Sequence, residues 1–175
     1  PVRGVDLAGT VEAVGPDVTR FKPGDDVFGG APASFAEYVL AREDRLLPKP
    51  PDLPFEQAAA INVAGRTALQ GLRDHAQVKP GQRVLIHGAG GGVGTFAVQI
   101  AKALGAHVTA VTGPLNVDII RSLGADEVID YTKEDFVRRP ERYDTVLDIA
   151  ATRSVSDLRR VVAPHGVYVQ VGAAK

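Results

Sequence analysis

Two periods of hydrophobicity divide this chain. Over the first 54 residues the apolar runs are short and broken by turn signals, and eight of the twelve prolines fall there. The stretches "DLAGTVEAVG", "DDVFG", "SFAEYVLA" and "DRLLP" read as short strands. The "KPGD" at Lys22 to Asp25 reads as a turn, because proline presets one dihedral and glycine accepts positive φ. From about Phe55 the pattern changes to helix and strand in alternation. The segment "FEQAAAINVAGRTALQGLRDHA" is alanine- and leucine-rich and predicts a mostly helical stretch. Apolar strand candidates follow at Val84–His87, Val108–Val111, Val128–Asp130, Thr145–Ile149 and Val167–Val171, with helical segments between most of them. This alternation implies a parallel sheet with helices packed on its faces.

The first of these strands runs into five glycines within seven residues: Gly88, Gly90, Gly91, Gly92 and Gly94. The helix after them places Val93, Ala97, Ile100, Ala101 and Leu104 on one face and stops at Gly105, a residue suited to the helix C-cap. Strand, glycine loop, helix and second strand form a βαβ unit of the kind that seats a dinucleotide. Aligned on its last glycine, the loop reads Ala89-x-Gly91-x-x-Gly94, with Gly88 three residues before Gly91. Where the side chain is only hydrogen, a pyrophosphate can rest against the backbone and the helix N-terminus, and Gly94 lets the helix pack closely on the strand. The candidate contacts are Gly88, Ala89, Gly90, Gly91, Gly92, Val93 and Gly94. No Gly-Lys-Ser/Thr follows at the spacing of a Walker loop, which excludes that kind of phosphate site.

Composition removes several other classes of function. A net charge of -1 argues against nucleic acid or an anionic membrane as the main partner. No apolar run is long enough to span a bilayer and no signal peptide is evident, so a cytoplasmic location is expected. With no cysteine, the chain has no disulfide, no thiolate zinc site and no cysteine nucleophile. It begins at Pro1 and stops shortly after the apolar "GVYVQVG", and it reads as a piece of a longer protein.

An NAD site usually has an Asp or Glu at the end of the second strand for the ribose hydroxyls. Here that end reads "AVTGPLN", Ala110 to Asn116, without an acid. An acid there would repel a 2′-phosphate, so its absence points to NADP as cofactor, with NAD the alternative. No Arg or Lys stands in the turn to hold that phosphate. Thr112 and Asn116 are candidate contacts, and Asn116 is also the expected N-cap of the helix "VDIIRSLG". Tyr131, at the end of "EVIDYT", either places its hydroxyl near the adenosine ribose or anchors the strand end.

The stretches "GVDLAGTVEAVG", "FKPGDDVFG", "SFAEYV", "EQAAAINVAGRTALQGL", "VLIHGAGGGVGTFAVQIAKALGA" and "IIRSLGADEVIDYT" resemble the medium-chain dehydrogenase/reductase superfamily. Within it they are most similar to the zinc-independent quinone oxidoreductase branch, over essentially the whole chain and in the right order. The resemblance implies part of a GroES-like β domain over residues 1–50. It implies an α/β Rossmann domain over residues 51–175, a doubly wound parallel sheet lacking its last strand, with substrate in the cleft between the domains. It further implies Thr67 of "AGRTALQ" near the nicotinamide end of the cofactor. Backbone after the fourth and fifth strands, matching Ala150–Ala151 and Val171, Gly172 and Ala173, is expected beside it. Members of the family are commonly homodimers.

The zinc-dependent branch of that family carries Gly-His-Glu where this chain has Gly4-Val5-Asp6, and a cysteine at about Val63. Valine has no lone pair, and only Gly30 to Ala33 stand where the structural zinc lobe would interrupt the chain. The histidines His75, His87, His107 and His165 lack short ligand spacings and are expected at a surface, a turn or a strand end. No metal is expected. Without a Lewis acid, the resemblance leaves hydride delivery to an electrophilic carbon of a quinone or an α,β-unsaturated carbonyl. The protein would supply orientation, a dry cleft and a hydrogen bond to the developing oxyanion. An enoyl reductase module of a polyketide or fatty-acid synthase is the nearest rival, and a non-catalytic dinucleotide-binding sensor or structural protein is the rival from another class. Substrate contacts in this family lie largely outside the matched stretch, so no catalytic residue is assigned.

Overall fold

The structure, a computed structural model, describes residues 3–172. Contacts divide the chain into two compact units, Pro1–Arg66 and Thr67–Lys175. In the first, β1 (Asp6–Thr10), β2 (Asp26–Gly30) and β3 (Leu46–Pro48) pair antiparallel in the order β1-β2-β3. The predicted turn is present: Gly24 takes φ +90, and the Lys22 amide donates to the Asp25 carboxylate at 2.9 Å. "SFAEYVLA" is not a strand, and Phe35, Tyr38 and Leu40 are exposed. Apolar alternation makes a strand only where a ladder pairs with it, and among the described residues this segment pairs with none of β1, β2 and β3.

The stretch expected to be mostly helical is interrupted. It forms α1 (Phe55–Ala58), α2 (Asn62–Leu69) and a wide π-helical turn over Gln70–His75. Between α1 and α2 the chain tightens, with the amides of Ala60 and Ile61 donating to the carbonyls of Gln57 and Ala58. The wide turn sets Gly71 against the sheet, where a Cβ would stand 2.9 Å from Leu147 Cδ1. Asp6 fixes the start of α2 by accepting from Asn62 Nδ2 at 2.9 Å and from the Val63 amide at 3.0 Å.

The second unit is built on a five-stranded parallel sheet in the order β6-β5-β4-β7-β8. Its strands are β4 (Arg83–His87), β5 (His107–Thr112), β6 (Glu127–Asp130), β7 (Tyr143–Asp148) and β8 (Val162–Gln170). Each predicted strand is present. The last begins at Val162 rather than Val167, taking in Pro164 and His165, the latter at φ 66. Proline is tolerated there because β8 is an edge strand among the described residues.

The helices are α3 (Gly92–Ala103), α4 (Val117–Ser122) and α5 (Val155–Arg159). Val84 and Ile86 pack into one core with Ala97, Val98 and Ala101 of α3 and Ile120 of α4. Leu85 packs into the opposite core with Val146 and Leu158 of α5. The central strand is thus apolar on both faces, which is why it reads as a continuous run. The predicted face of α3 is the buried one: Val93, Ile100 and Leu104 pack against the core that holds Ala97 and Ala101. Gly105 ends the helix at φ +80. The chain leaves β4 toward β5 and leaves β7 toward β8, in opposite directions across the sheet. A crevice opens beyond the strand ends where such connections part.

Candidate functional site

The glycine loop lies at that crevice, and its glycines do different work. Gly88 takes φ +92, and a Cβ there would stand 2.9 Å from the Ala150 amide nitrogen. The amides of Gly88 and Ala89 donate to the Val111 carbonyl at 3.1 and 3.0 Å, tying the loop to the end of β5. Ala89 is turned into the core and is fully buried. A Cβ on Gly94 would overlap the carbonyl oxygens of Gly88 and Ala89, so α3 seats on the loop only with glycine at that position. A Cβ on Gly91 would meet nothing nearer than the Gly88 carbonyl oxygen at 3.7 Å. The fold therefore leaves room for a methyl group at Gly91.

Gly91 is the N-cap of α3, and no side chain caps the helix. The first intrahelical bond runs from the Thr95 amide to the Gly91 carbonyl at 2.9 Å. The amides of Gly92, Val93 and Gly94 precede it, among those a helix cannot satisfy within itself. A helix N-terminus of this kind favours an anionic group.

The crevice has a volume of about 820 Å³ and is lined by Gly88, Gly90, Gly91, Thr112, Asn116, Tyr131 and Ala150 of the expected residues. His87, Phe136, Thr152 and Arg153 also line it. Asn116 stands at the N-cap of α4, yet its side chain makes no capping bond. Its amide instead lies across the loop, where a Cβ on Gly90 would stand 2.5 Å from Asn116 Nδ2 and from Thr112 Oγ1. Tyr131 is exposed, with its hydroxyl beside Gly113. Among the described residues no carboxylate lines the crevice, and its cation, Arg153, is paired with Asp135 at 2.9 Å. A site with a free helix N-terminus, a glycine-bared backbone and no lining acid suits a pyrophosphate and tolerates a further phosphate.

Thr67, Ala89, Gly92, Val93, Gly94, Val171 and Gly172 do not line this crevice, and Ala173 lies outside the described residues. His75, His107 and His165 are exposed, and His87 is at a strand end as expected, but buried. Val5 and Val63 are exposed valines. Among the described residues no group of three or more His, Asp or Glu side chains is disposed to hold a metal ion. No described helix is long and apolar enough to cross a membrane.

Sequence reasoning missed the polar floor of the crevice. His87 Nδ1 lies 2.8 Å from Asp148 Oδ1, and the Tyr168 hydroxyl donates to Asp148 Oδ2 at 3.0 Å. Burial alone would push the Asp148 carboxyl up. The hydrogen bonds from His87, the Ala151 amide and Tyr168 outweigh it and hold the group below the usual carboxylate range. The available signal was that "RVLIH" and "TVLD" each end an apolar strand on a polar residue at the same edge of a parallel sheet.

Residues 1–51 match the family model described as Alcohol dehydrogenase GroES-like domain, and residues 92–175 the one described as Zinc-binding dehydrogenase. The chain is similar to "Quinone-oxidoreductase QR1, chloroplastic" of Triphysaria versicolor, at 36% identity over 185 residues, covering 97% of the chain and 56% of that protein. It is also similar to "Spectinabilin polyketide synthase system protein NorB" of Streptomyces orinoci, at 40% identity over 174 residues, covering 97% of the chain and 8% of that protein. Among solved structures, the crystal structure of CurK enoyl reductase superposes with a TM-score of 0.91 at 31% identity, covering 98% of the chain and 54% of that structure. The chain thus spans about half of the quinone oxidoreductase and a small part of the synthase. With both models matched in order, and with the fold shared with an enzyme of this type, the chain belongs to the medium-chain dehydrogenase/reductase superfamily of oxidoreductases.

Proposed function

We propose that the chain binds NADP(H) at the glycine-loop crevice, with NAD(H) the weaker ligand. The protein would transfer hydride to a quinone or an α,β-unsaturated carbonyl. The observation that carries the reading is the acid-free crevice around Gly88, Gly90 and Gly91, with the N-terminus of α3 beside it. In this reading Gly88 to Gly94 hold the pyrophosphate, and Thr112, Asn116 and Tyr131 meet the adenosine ribose. Ala150, Val171, Gly172 and Ala173, with Thr67, serve the nicotinamide end. Residues 1–50 would form the partial GroES-like domain and residues 51–175 the dinucleotide domain.

When bound, the reduced nicotinamide supplies the hydride. The chain's own part is to bind the dinucleotide's anionic centre at a helix N-terminus and to orient it against backbone bared of side chains. Val5 and Val63, where the zinc-dependent branch has its ligands, favour an acceptor that is electrophilic without a metal. The matches to a quinone oxidoreductase and to an enoyl reductase support that class of acceptor. The polyketide synthase match favours a second reading, an enoyl reductase module reducing an enoyl thioester.

NADPH consumption by the intact protein, with a benzoquinone and with a crotonyl thioester as acceptors, tests the proposal. Acceptor-dependent oxidation is expected, and the preferred acceptor separates the two readings. Saturable NADPH binding with neither acceptor consumed would favour a non-catalytic dinucleotide-binding protein.

A further inference from the structure

The register of β4 and β7 sets His87 directly beside Asp148 at the crevice edge of the sheet. Their side chains are 6% and 1% exposed. Asp148 accepts from the Ala151 amide at 2.9 Å and from Tyr168 at 3.0 Å, and its Oδ1 lies 2.8 Å from His87 Nδ1. An ionised carboxylate only accepts, so the proton between Asp148 and His87 sits on Nδ1. Nε2 is then the ring nitrogen left over. Thr152 Oγ1 stands 3.4 Å from it, too far for a strong bond. The Phe136 ring, 4.9 Å away between centroids, packs against the imidazole and fixes its plane. The result is a ring nitrogen with one long hydrogen bond, on a side chain more than nine-tenths buried that lines the crevice. A nitrogen held by one long bond can still take a better-placed donor from a molecule in the crevice.

We propose that His87 Nε2 is a hydrogen-bonding contact of the bound dinucleotide, and that Asp148, backed by Tyr168, is the positioning residue that decides which nitrogen faces the crevice. This rests on the dinucleotide reading above and adds to it residues that the glycine-loop pattern does not contain. Asp148 shapes the adjoining turn as well. Ala151 takes φ 49, a conformation that non-glycine residues adopt at a cost, and its amide is held by the same carboxylate. Ala150 and Thr152, on either side of that turn, line the crevice. One buried carboxylate therefore holds both the imidazole and the turn beside it.

The test is a nitrogen NMR titration of the histidine rings in the intact protein with NADPH. His87 is assigned as the histidine whose ring signals are missing from the spectrum of His87→Gln. The expected result is an Nδ1–H ring in the free protein whose Nε2 resonance moves on NADPH binding. In parallel, His87→Ala is expected to raise the NADPH Kd by about three- to tenfold, the worth of one hydrogen bond. His87→Gln, whose amide reaches the Nε2 position, should lose less. If the wild type binds NADPH while the Nε2 resonance stays fixed, the inference is overturned and the dinucleotide site stands. If the wild type binds neither NADPH nor NADH, the functional reading falls and takes this inference with it.

Discussion

Exchanging one methyl group between two glycines separates the ligand's demand on the loop from the fold's. At Gly94 a Cβ would meet backbone atoms, with the Ala89 carbonyl oxygen at 2.5 Å and its carbon at 2.6 Å. Backbone at the root of a helix has no cheap way to move, so the cost of overpacking is about 3 kcal/mol, the upper end for added methylenes. The gain in helix propensity from glycine to alanine returns about 1 kcal/mol. The net loss for Gly94→Ala is about 2 kcal/mol, a fall in Tm of roughly 4–8 °C for a chain of this size. At Gly91 the nearest atom is 3.7 Å away, so Gly91→Ala strains nothing in the fold. The small N-cap loss and the unfolded-state gain roughly cancel, leaving the Tm within about 3 °C. On the proposed assignment the pyrophosphate approaches the backbone at Gly91, and the same methyl would stand in its way. Displacing it costs about 1–3 kcal/mol, a Kd raised by roughly fivefold to 150-fold. Differential scanning calorimetry and NADPH fluorescence titration read the two effects separately. A Gly91→Ala protein that binds NADPH like the wild type would refute the assignment of the loop, and a Gly94→Ala protein of unchanged Tm would refute the packing argument.

Asn116→Asp puts a carboxylate in the turn after β5, and it is expected to weaken NADPH binding about tenfold while sparing NADH, as read by parallel titrations. Arg139 bonds Glu127 at 2.6 Å and lies 3.1 Å from Glu134 and 3.5 Å from Glu141. Arg139→Ala leaves these carboxylates to repel one another and should cost about 2 kcal/mol in chemical denaturation. The Arg139 hydrogen bond also holds the Glu127 carboxyl below its ordinary 4.5. That contribution to stability is present above about pH 4.5 and lost as pH falls through the lowered value. Acid unfolding of Arg139→Ala should therefore begin at higher stability loss already at neutral pH and show a shallower acid limb. Burial, and then the Asp148 carboxylate, push the Tyr168 phenol up to about 12. Its contribution is full below pH 10 and lost as pH rises toward 12, so Tyr168→Phe should flatten the alkaline limb of stability against pH.

What could be read from the chain was local. The strands around Val84, Val108, Val128, Thr145 and Val167, the buried face of α3 and the glycine loop each declare themselves through spacing within a few residues. Partnership across the chain could not be read the same way. "SFAEYVLA" has the alternation of a strand, but whether a ladder is available depends on β1, β2 and β3. Asn116 has the identity and position of an N-cap, but its amide is drawn to the loop at Gly90. His87 and Asp148 are 61 residues apart, and only the parallel register joins them. The glycine loop shows where a ligand's charge can sit, whereas the polar floor beneath it exists only once the sheet is assembled.

The most direct test of the central claim is a fluorescence titration of the intact protein with NADPH and, in parallel, with NADH. The account predicts saturable binding of both, tighter for NADPH, and weaker binding of both in Gly91→Ala by the factor worked out above. Tighter binding of NADH would contradict the argument from the acid-free β5 turn, and binding of neither would contradict the dinucleotide site itself.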